Sequence, residues 1–423
     1  MTNPNGRTAD TASQQPPDRR PLSTVHVLDL TDEAVALAPR LLADLGAIVY
    51  RVESSDGDRL RGRGPFVDGT PGVERSLAHL LYNAGKKSVA LDLDRDKAWH
   101  LIERMAASVD VVVAPLEKSA PVKRLLERLQ EQEAGRVAVV DVVLRRDTPE
   151  MPVTDLIGVA AGGLLYLNGF PDDPPNLPAG KLAYKQASLA VALAAMTLAM
   201  SRTRGLGGGW ITVSMQEAVM LTTIQTGNEN YWHWHRTRPG RGGLGALGGR
   251  SIYQATDGRW VSFTIPPPYW DAYARWVTEV TGRTELQDEA WRDPRFRLAH
   301  AAEIAEMTAA VCASFTREQL VEAGQRRHLL VLPVNSVRDV ANDPHLQARG
   351  FFEDVEYPQL GRPLTMPVPP FLSSRFPRRA ARAPMLGEHS VEALRGLAHL
   401  DDGAIIELLR SGVVHQISTA DRV

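Results

Sequence analysis

Between Arg236 and Arg250 the chain reads RTRPGRGGLGALGGR, which packs six glycines and four arginines into one short run. Glycines let backbone N–H groups approach an anion closely, so this stretch can cradle a phosphate. It lacks the spacing and the Lys-Ser/Thr ending of a nucleotide P-loop, and a plain glycine loop between domains is the alternative. Trp232-His233-Trp234-His235 sets two histidines two residues apart among aromatics. No acidic or cysteine partner lies nearby to complete a ligand set, so packing or substrate lining is expected there, and no metal. Cys312, the single cysteine, falls in an amphipathic helical pattern and is expected in a core.

Such groups need elements to aim them. Val25–Leu30 is a β-branched run, Leu37–Gly46 has helical spacing closed by a glycine, and Ala47–Val52 is another strand. The strand–helix–strand unit repeats through Ser88–Leu93, Lys97–Ala107 and Val109–Val113, and a helix from Pro121 to Gln132 leads to the strand Arg136–Leu144. Apolar strands alternating with helices predict an α/β fold with a parallel sheet covered on both faces. A Gly-rich stretch, Val159–Gly169, and an acidic proline loop, Phe170–Pro178, precede an Ala-rich helix over Ala187–Met200. A strand at Trp210–Val213 and a helix from Met215 follow. Then the pattern changes: Ser251–Ala255 and Trp260–Ile265 form a hairpin around Asp257-Gly258, followed by helices at Tyr269–Val280, Ala302–Phe315 and Thr316–Ala323. That switch marks a smaller α+β domain. From Pro344 the text returns to loops and prolines, with a last helix near Gly403–Ser411.

Composition bounds the rest. A chain of 423 residues, 43% hydrophobic and 23% charged, suits a soluble protein of two or three domains. With 48 basic and 50 acidic residues the net charge is −2, which removes the cationic footprint of a nucleic-acid binder. One cysteine cannot form an internal disulfide, so a reducing compartment, the cytoplasm, is expected. The N-terminal residues 1–21 lack an apolar core and are expected to be a disordered tail, with no signal peptide. The run Ala187–Met200 is shorter than the roughly 20 residues of a bilayer span, so no membrane partner is expected.

Particular residues narrow the reading further. Leu28-Asp29-Leu30, Leu41–Ala47 (LLADLGA), Arg51-Val52-Glu53, Gly57-Asp58, Asn83–Leu93 (NAGKKSVALDL) and Val109–Val113 follow one another in order. So do Gly169–Pro175 (GFPDDPP), Arg202–Leu206 (RTRGL), Val213–Ala218 (VSMQEA), Asp257–Val261 (DGRWV), Asp293–Phe296 (DPRF), Asp343–Phe351 and Ala383–His389 (APMLGEH). From Val27 to His399 the chain resembles the family III CoA-transferases, the group that includes L-carnitine/crotonobetaine CoA enzymes, formyl-CoA transferases and α-methylacyl-CoA racemases.

The resemblance implies a Rossmann-like large domain (22–224) completed by the C-terminal segment (345–423), a small domain with its linkers (225–344), and two ring-shaped protomers interlocked as a homodimer. It implies a CoA thioester as ligand, with a carboxylic acid as acceptor. Lys86 and Lys87 then fall in the basic segment bordering the CoA site, and Lys123 and Arg124 where a cation meets the nucleotide, because CoA phosphates pair with cationic side chains. Solvated surface charge is the alternative for all four. The glycines at Arg241–Gly249, Gly242 and Gly243 among them, resemble the loop closing over the active site.

One departure stands out. Transferases of this family use an aspartate whose carboxylate attacks the thioester, giving a mixed anhydride and then an enzyme-bound CoA thioester. The matching stretch here is Ala183–Ser188, and the aspartate position is Tyr184. A phenol cannot form the acyl anhydride, although it can donate a proton or hydrogen-bond a carbonyl. Lys185 is a second acid–base candidate and His26 a third. Asp155 matches the second aspartate of the racemase branch, but Thr154 stands where a histidine precedes it. Three readings follow: acyl-CoA chemistry through Tyr184; a true transferase using another carboxylate, Glu217 or Asp155, or passing acyl groups directly; and a non-catalytic CoA-binding subunit paired with an active paralogue.

Overall fold

Each apolar run of the first third becomes a strand because helices cover both of its faces. The computed structural model describes residues 20–131, 137–147, 153–169, 173–224 and 251–417. The chain begins with β1 (His26–Asp29), α1 (Leu37–Asp44), β2 (Ile48–Ser54), α2 (Leu77–Tyr82), β3 (Lys87–Leu91), α3 (Asp96–Ala106), β4 (Val111–Val113), α4 (Ala120–Glu131) and β5 (Ala138–Val143). It continues through α5 (Asp155–Ala161), α6 (Leu164–Leu167), α7 (Leu182–Thr203), β6 (Gly209–Ser214) and α8 (Met215–Ile224). Next come β7 (Ile252–Gln254), β8 (Trp260–Thr264), α9 (Trp270–Thr281), α10 (Pro294–Ala299), α11 (Ala301–Cys312), α12 (Arg317–Arg326) and β9 (Leu330–Pro333). The last are α13 (Val337–Ala341), α14 (Pro344–Ala348), β10 (Phe352–Tyr357), β11 (Arg362–Pro367), α15 (Ser390–Gly396), α16 (Asp402–Arg410) and β12 (Val414–His415).

Two compact units divide the chain. One is Met1–Pro149, Ala187–Val213 and Phe352–Val423; the other is Glu150–Gln186 and Ser214–Phe351. The first unit holds a seven-stranded sheet in the order β12-β3-β2-β1-β4-β5-β6. Neighbours from β3 to β5 are parallel, while β12 joins β3 antiparallel as an edge. The order reverses between β1 and β4, and that switch point is where an open α/β sheet offers a crevice at its carboxyl ends.

Side chains alternate between sheet faces, and here the faces differ in character. Leu28, Tyr50, Val52, Val89, Leu91, Val112 and Val139 lie in one apolar core together with side chains of α3, α4, α15 and α16. The other face carries Asp29, Arg51, Glu53 and Ser88, all buried. Buried charge must be paired, and it is. Arg51 Nη1 lies 3.2 Å from Asp29 and its Nη2 2.5 Å from Asp58. Glu53 accepts two bonds from Arg61, at 2.7 and 2.8 Å. Arg61 also reaches Glu74 and the Pro384 carbonyl, while Leu386 N donates to Glu74 and Gly387 N to the Ser88 hydroxyl. Gly387 has φ 68°, and a Cβ there would sit 2.6 Å from the His415 carbonyl, so only glycine fits. Arg51-Val52-Glu53, Gly57-Asp58 and Ala383–Glu388 are thus parts of one ionic lattice.

The second unit builds β7-β8-β9 as an antiparallel sheet. Tyr253, Val261, Phe263 and Val331 share a core with Trp270, Tyr273, Trp276, Ile304, Met307 and Cys312. Burial pushes the Cys312 thiol up to about 12, as its core position requires.

Three segments differ from the sequence reading. The Ala-rich helix runs 22 residues, Leu182–Thr203, longer than the Ala187–Met200 pattern; it is long and apolar enough to cross a bilayer, and half of its apolar window is buried in the protein. The Gly-rich stretch contains the last three residues of α5 and all of α6, and Gly162 within it, like Gly158 just before it, serves a close helix contact. The tail is more ordered than loops: β10 and β11 pair antiparallel from Phe352↔Pro367 to Tyr357↔Arg362. The N-terminal stretch 1–19 lies outside the described residues.

Candidate functional site

The β1–α1 loop meets the β4–α4 loop at the switch point, and one side chain joins them. Asp32 accepts from Ala34 N at 3.0 Å with one oxygen and from Glu117 N at 2.9 Å with the other. Burial pushes its carboxyl above the ordinary aspartate value against those hydrogen bonds. Sequence reasoning passed over Asp32, since an acid in a loop gives no sign of what it bridges.

Beside that edge, the first turns of α3 and α4 enclose a cleft of about 360 Å³ lined by Asp96, Trp99, His100, Arg124, Leu125 and Arg128, among others. Trp99 is fixed by its Nε1, which donates to the Leu93 carbonyl at 2.8 Å. Arg128 pairs with Glu103 at 2.8 Å, whereas no carboxylate among the described residues pairs with exposed Arg124. Lys123 is half-buried on the same helix. A held aromatic face with an unpaired guanidinium suits a nucleotide carrying phosphate.

Lys86 stands elsewhere than expected. Its ammonium is buried 2.8 Å from Asp29, 2.9 Å from the Asn83 side-chain oxygen and 3.0 Å from the Ala36 carbonyl. Those contacts use all three of its N–H donors and leave none for a phosphate. Burial pulls the ammonium down to about 8, with Asp29 pulling the other way. Lys87 is half-buried, pairs with Glu392 and lies 5.6 Å from the Tyr50 ring centroid. His26 opens β1, at the amino end of the sheet, with its backbone N–H bonded to Asp110 at 2.8 Å.

In the second unit, Thr154 caps α5, its hydroxyl accepting from Ile157 N. Asp155 follows, 9% exposed, and its carboxylate accepts from the Tyr184 backbone N–H at 3.2 Å. The structure therefore brings Asp155 and Tyr184 together, with exposed Lys185 the next residue on α7. Gly158 makes this possible: a Cβ there would lie 2.7 Å from both Ala183 Cβ and Met215 Sδ, where α5, α7 and α8 converge. Glu217 is exposed in the first turn of α8, its backbone N–H donating to the Ser214 hydroxyl. Lys181, which sequence reasoning missed, sets its ammonium 5.5 Å from the Tyr184 ring centroid. Gly242, Gly243 and Trp232–His235 lie outside the described residues. Among the described residues no group of three His, Cys, Asp or Glu side chains gathers to hold a metal.

The sequence profile described as CoA-transferase family III matches residues 22–390. The chain is 29% identical over 93% of its length to the succinyl-CoA:(R)-benzylsuccinate CoA-transferase subunit BbsE of Thauera aromatica, covering 98% of that protein. It is 27% identical to the succinyl-CoA–L-malate CoA-transferase beta subunit of Chloroflexus aurantiacus, covering 93% of this chain and 98% of that one. A formyl-CoA:oxalate CoA-transferase of Rhodopseudomonas palustris is 25% identical, over 93% and 97% of the two chains. In fold, the chain matches a CAIB/BAIF family protein from Brucella suis with a TM-score of 0.73, at 21% identity over 90% of this chain and 99% of that one. A profile match spanning most of the chain, on a parallel sheet of this kind, makes the protein a member of CoA-transferase family III.

Proposed function

We propose that this chain takes part in moving CoA from an acyl-CoA to a carboxylic acid as a divergent subunit, which binds the thioester while a paralogous partner chain supplies the nucleophilic carboxylate. The observation that carries this is the head of α7. Tyr184 stands where the resemblance places the nucleophilic aspartate, and the neighbouring acid, Asp155, is buried and bonded to the Tyr184 backbone. A phenol cannot become the acyl anhydride, but its hydroxyl can donate to a thioester carbonyl. Two of the relatives are themselves named as subunits of succinyl-CoA-dependent transferases. The nucleotide end is assigned to the α3–α4 cleft, with Arg124 for phosphate and Trp99 for the base. The partner occupies the second ring of the interlocked dimer that the family resemblance implies, in the cytoplasm.

A second reading keeps the chemistry on this chain, with Tyr184 as acid or base beside Lys185, and the Lys181 ammonium over the Tyr184 ring favours it. Intact-protein mass spectrometry after incubation with acyl-CoAs, read alongside free CoA release, separates the readings. The expected result is CoA binding without a covalent adduct on this chain, and turnover only when the paralogue is added. Turnover by this chain alone without an adduct, abolished in Tyr184→Phe, would establish the second reading. A hydroxylamine-sensitive adduct on Asp155 or Glu217 would overturn both and show a displaced nucleophile.

A further inference from the structure

The loop from β1 to α1 and the loop from β4 to α4 border the switch point of the main sheet, the place where an open α/β sheet ordinarily takes its ligand. One backbone N–H from each loop turns to the same point. Ala34 N–H and Glu117 N–H both donate to the Asp32 carboxylate, one to each oxygen, at 3.0 and 2.9 Å. Backbone N–H groups that converge from two loops are suited to hold a phosphate, and a carboxylate accepts from them in the same way. Among the described residues no cation is paired with Asp32: Arg51, which acts on it from β2, is bound to Asp29 and Asp58. Glu117 adds a like charge from the facing loop, and burial pushes the Asp32 carboxyl above its ordinary value. The chain therefore keeps an acid where its surroundings disfavour one, and the two N–H groups are what hold it.

We propose that Asp32 is the built-in occupant of an anion seat: its carboxylate fills the place where the Ala34 and Glu117 N–H groups would bind a phosphate, and so keeps phosphate out of the switch point. Asp32 is half-buried and Glu117 exposed, so a solute reaches the seat once the carboxylate is removed. A plain tie between two loops loses something when it is cut, whereas an occupied seat gains a ligand when its occupant goes. The exclusion does not rest on the CoA reading above; where CoA binds, its phosphates are left to the α3–α4 cleft.

The probe is inorganic pyrophosphate, titrated calorimetrically against the full-length protein and its variants. Asp32→Ala frees both N–H groups and should bind the probe about tenfold tighter than the unaltered protein. Asp32→Asn removes the charge but keeps one acceptor, so its gain should be smaller, about threefold. Glu117→Gln removes a charge from the same edge without freeing either N–H, and should change the affinity by less than about twofold. The Asp32→Ala gain should persist when Arg124→Met is added to remove the cation of the α3–α4 cleft. Asp32→Ala binding no tighter than the unaltered protein overturns the seat. So does a Glu117→Gln gain equal to that of Asp32→Asn, or a gain that vanishes with Arg124→Met. If Asp32→Ala does not fold, the comparison of Asp32→Asn with Glu117→Gln decides alone: a gain only in the former supports the seat, and equal affinities overturn it.

Discussion

Lys86 and Arg297 are both buried cations, yet their surroundings give opposite expectations for removing them. Lys86 is matched donor for donor by Asp29, Asn83 and Ala36, so Lys86→Met leaves the buried Asp29 carboxylate with one of its two cations, Arg51, and the hydrogen bonds of Thr31. Breaking a buried pair this way costs about 3–5 kcal/mol, to be read from the urea midpoint. Arg297 is 3% exposed, but among the described residues its Nε and Nη1 have no hydrogen-bond partner; it has a 3.4 Å bond to the Arg292 carbonyl, the Trp270 face at 4.7 Å and the charge of Asp293 nearby. Burial pulls its guanidinium below the ordinary arginine value. Arg297→Met should therefore be neutral or raise stability by about 1 kcal/mol, seen as an unchanged or higher Tm. The sequence displayed both charges and could not tell them apart, because a pairing partner more than 50 residues away leaves no local pattern. For the same reason Lys86 read as a phosphate contact while the Asp32 bridge went unnoticed.

Elements were legible where burial alone shaped them. The strands β1, β2 and β5 and the β7–β8 hairpin declare themselves by apolar runs and a turn dipeptide. The α5 helix hid because its glycines read as loop, although they are there for packing: a Cβ on Gly162 would lie 2.4 Å from Val219 Cγ1. Gly162→Ala should cost about 1–3 kcal/mol by overpacking, and adding Val219→Ala should recover part of it, as tested by thermal unfolding of the single and double variants. The β10–β11 hairpin hid for a different reason. Its sequence FEDVEY offers few apolar positions, and it is anchored by Tyr357, fully buried with Leu80 and Met366, whose hydroxyl accepts from Ala383 N.

Across the whole molecule, stability depends on keeping the ionic face of the main sheet in one protonation state. Burial, with Arg61 adding to it, holds His79 down to about 4, so the native protein keeps this imidazole neutral where an unfolded chain would protonate it. A depressed histidine contributes stability that is complete above pH 6.5 and is lost as pH falls toward 4, on the order of 3 kcal/mol in all. Asp58 and Glu388, both held near 2 against burial by arginine partners among others, extend the loss below pH 4. Unfolding free energies measured from pH 7 to pH 4 should fall steadily, and His79→Gln should flatten that slope.

The same sheet also sets an order in time. Its β3 edge is closed by β12, and Ser88 on β3 is bonded through Gly387 and His389, some 300 positions later in the chain. While the protein is being synthesised, β3 leaves the ribosome long before the residues that cover it. The nascent chain therefore carries an open strand edge and a half-paired set of charges through most of translation. Folding of the first unit can finish only after the last helices emerge, and until then the β3 edge stays open to pairing with other strands.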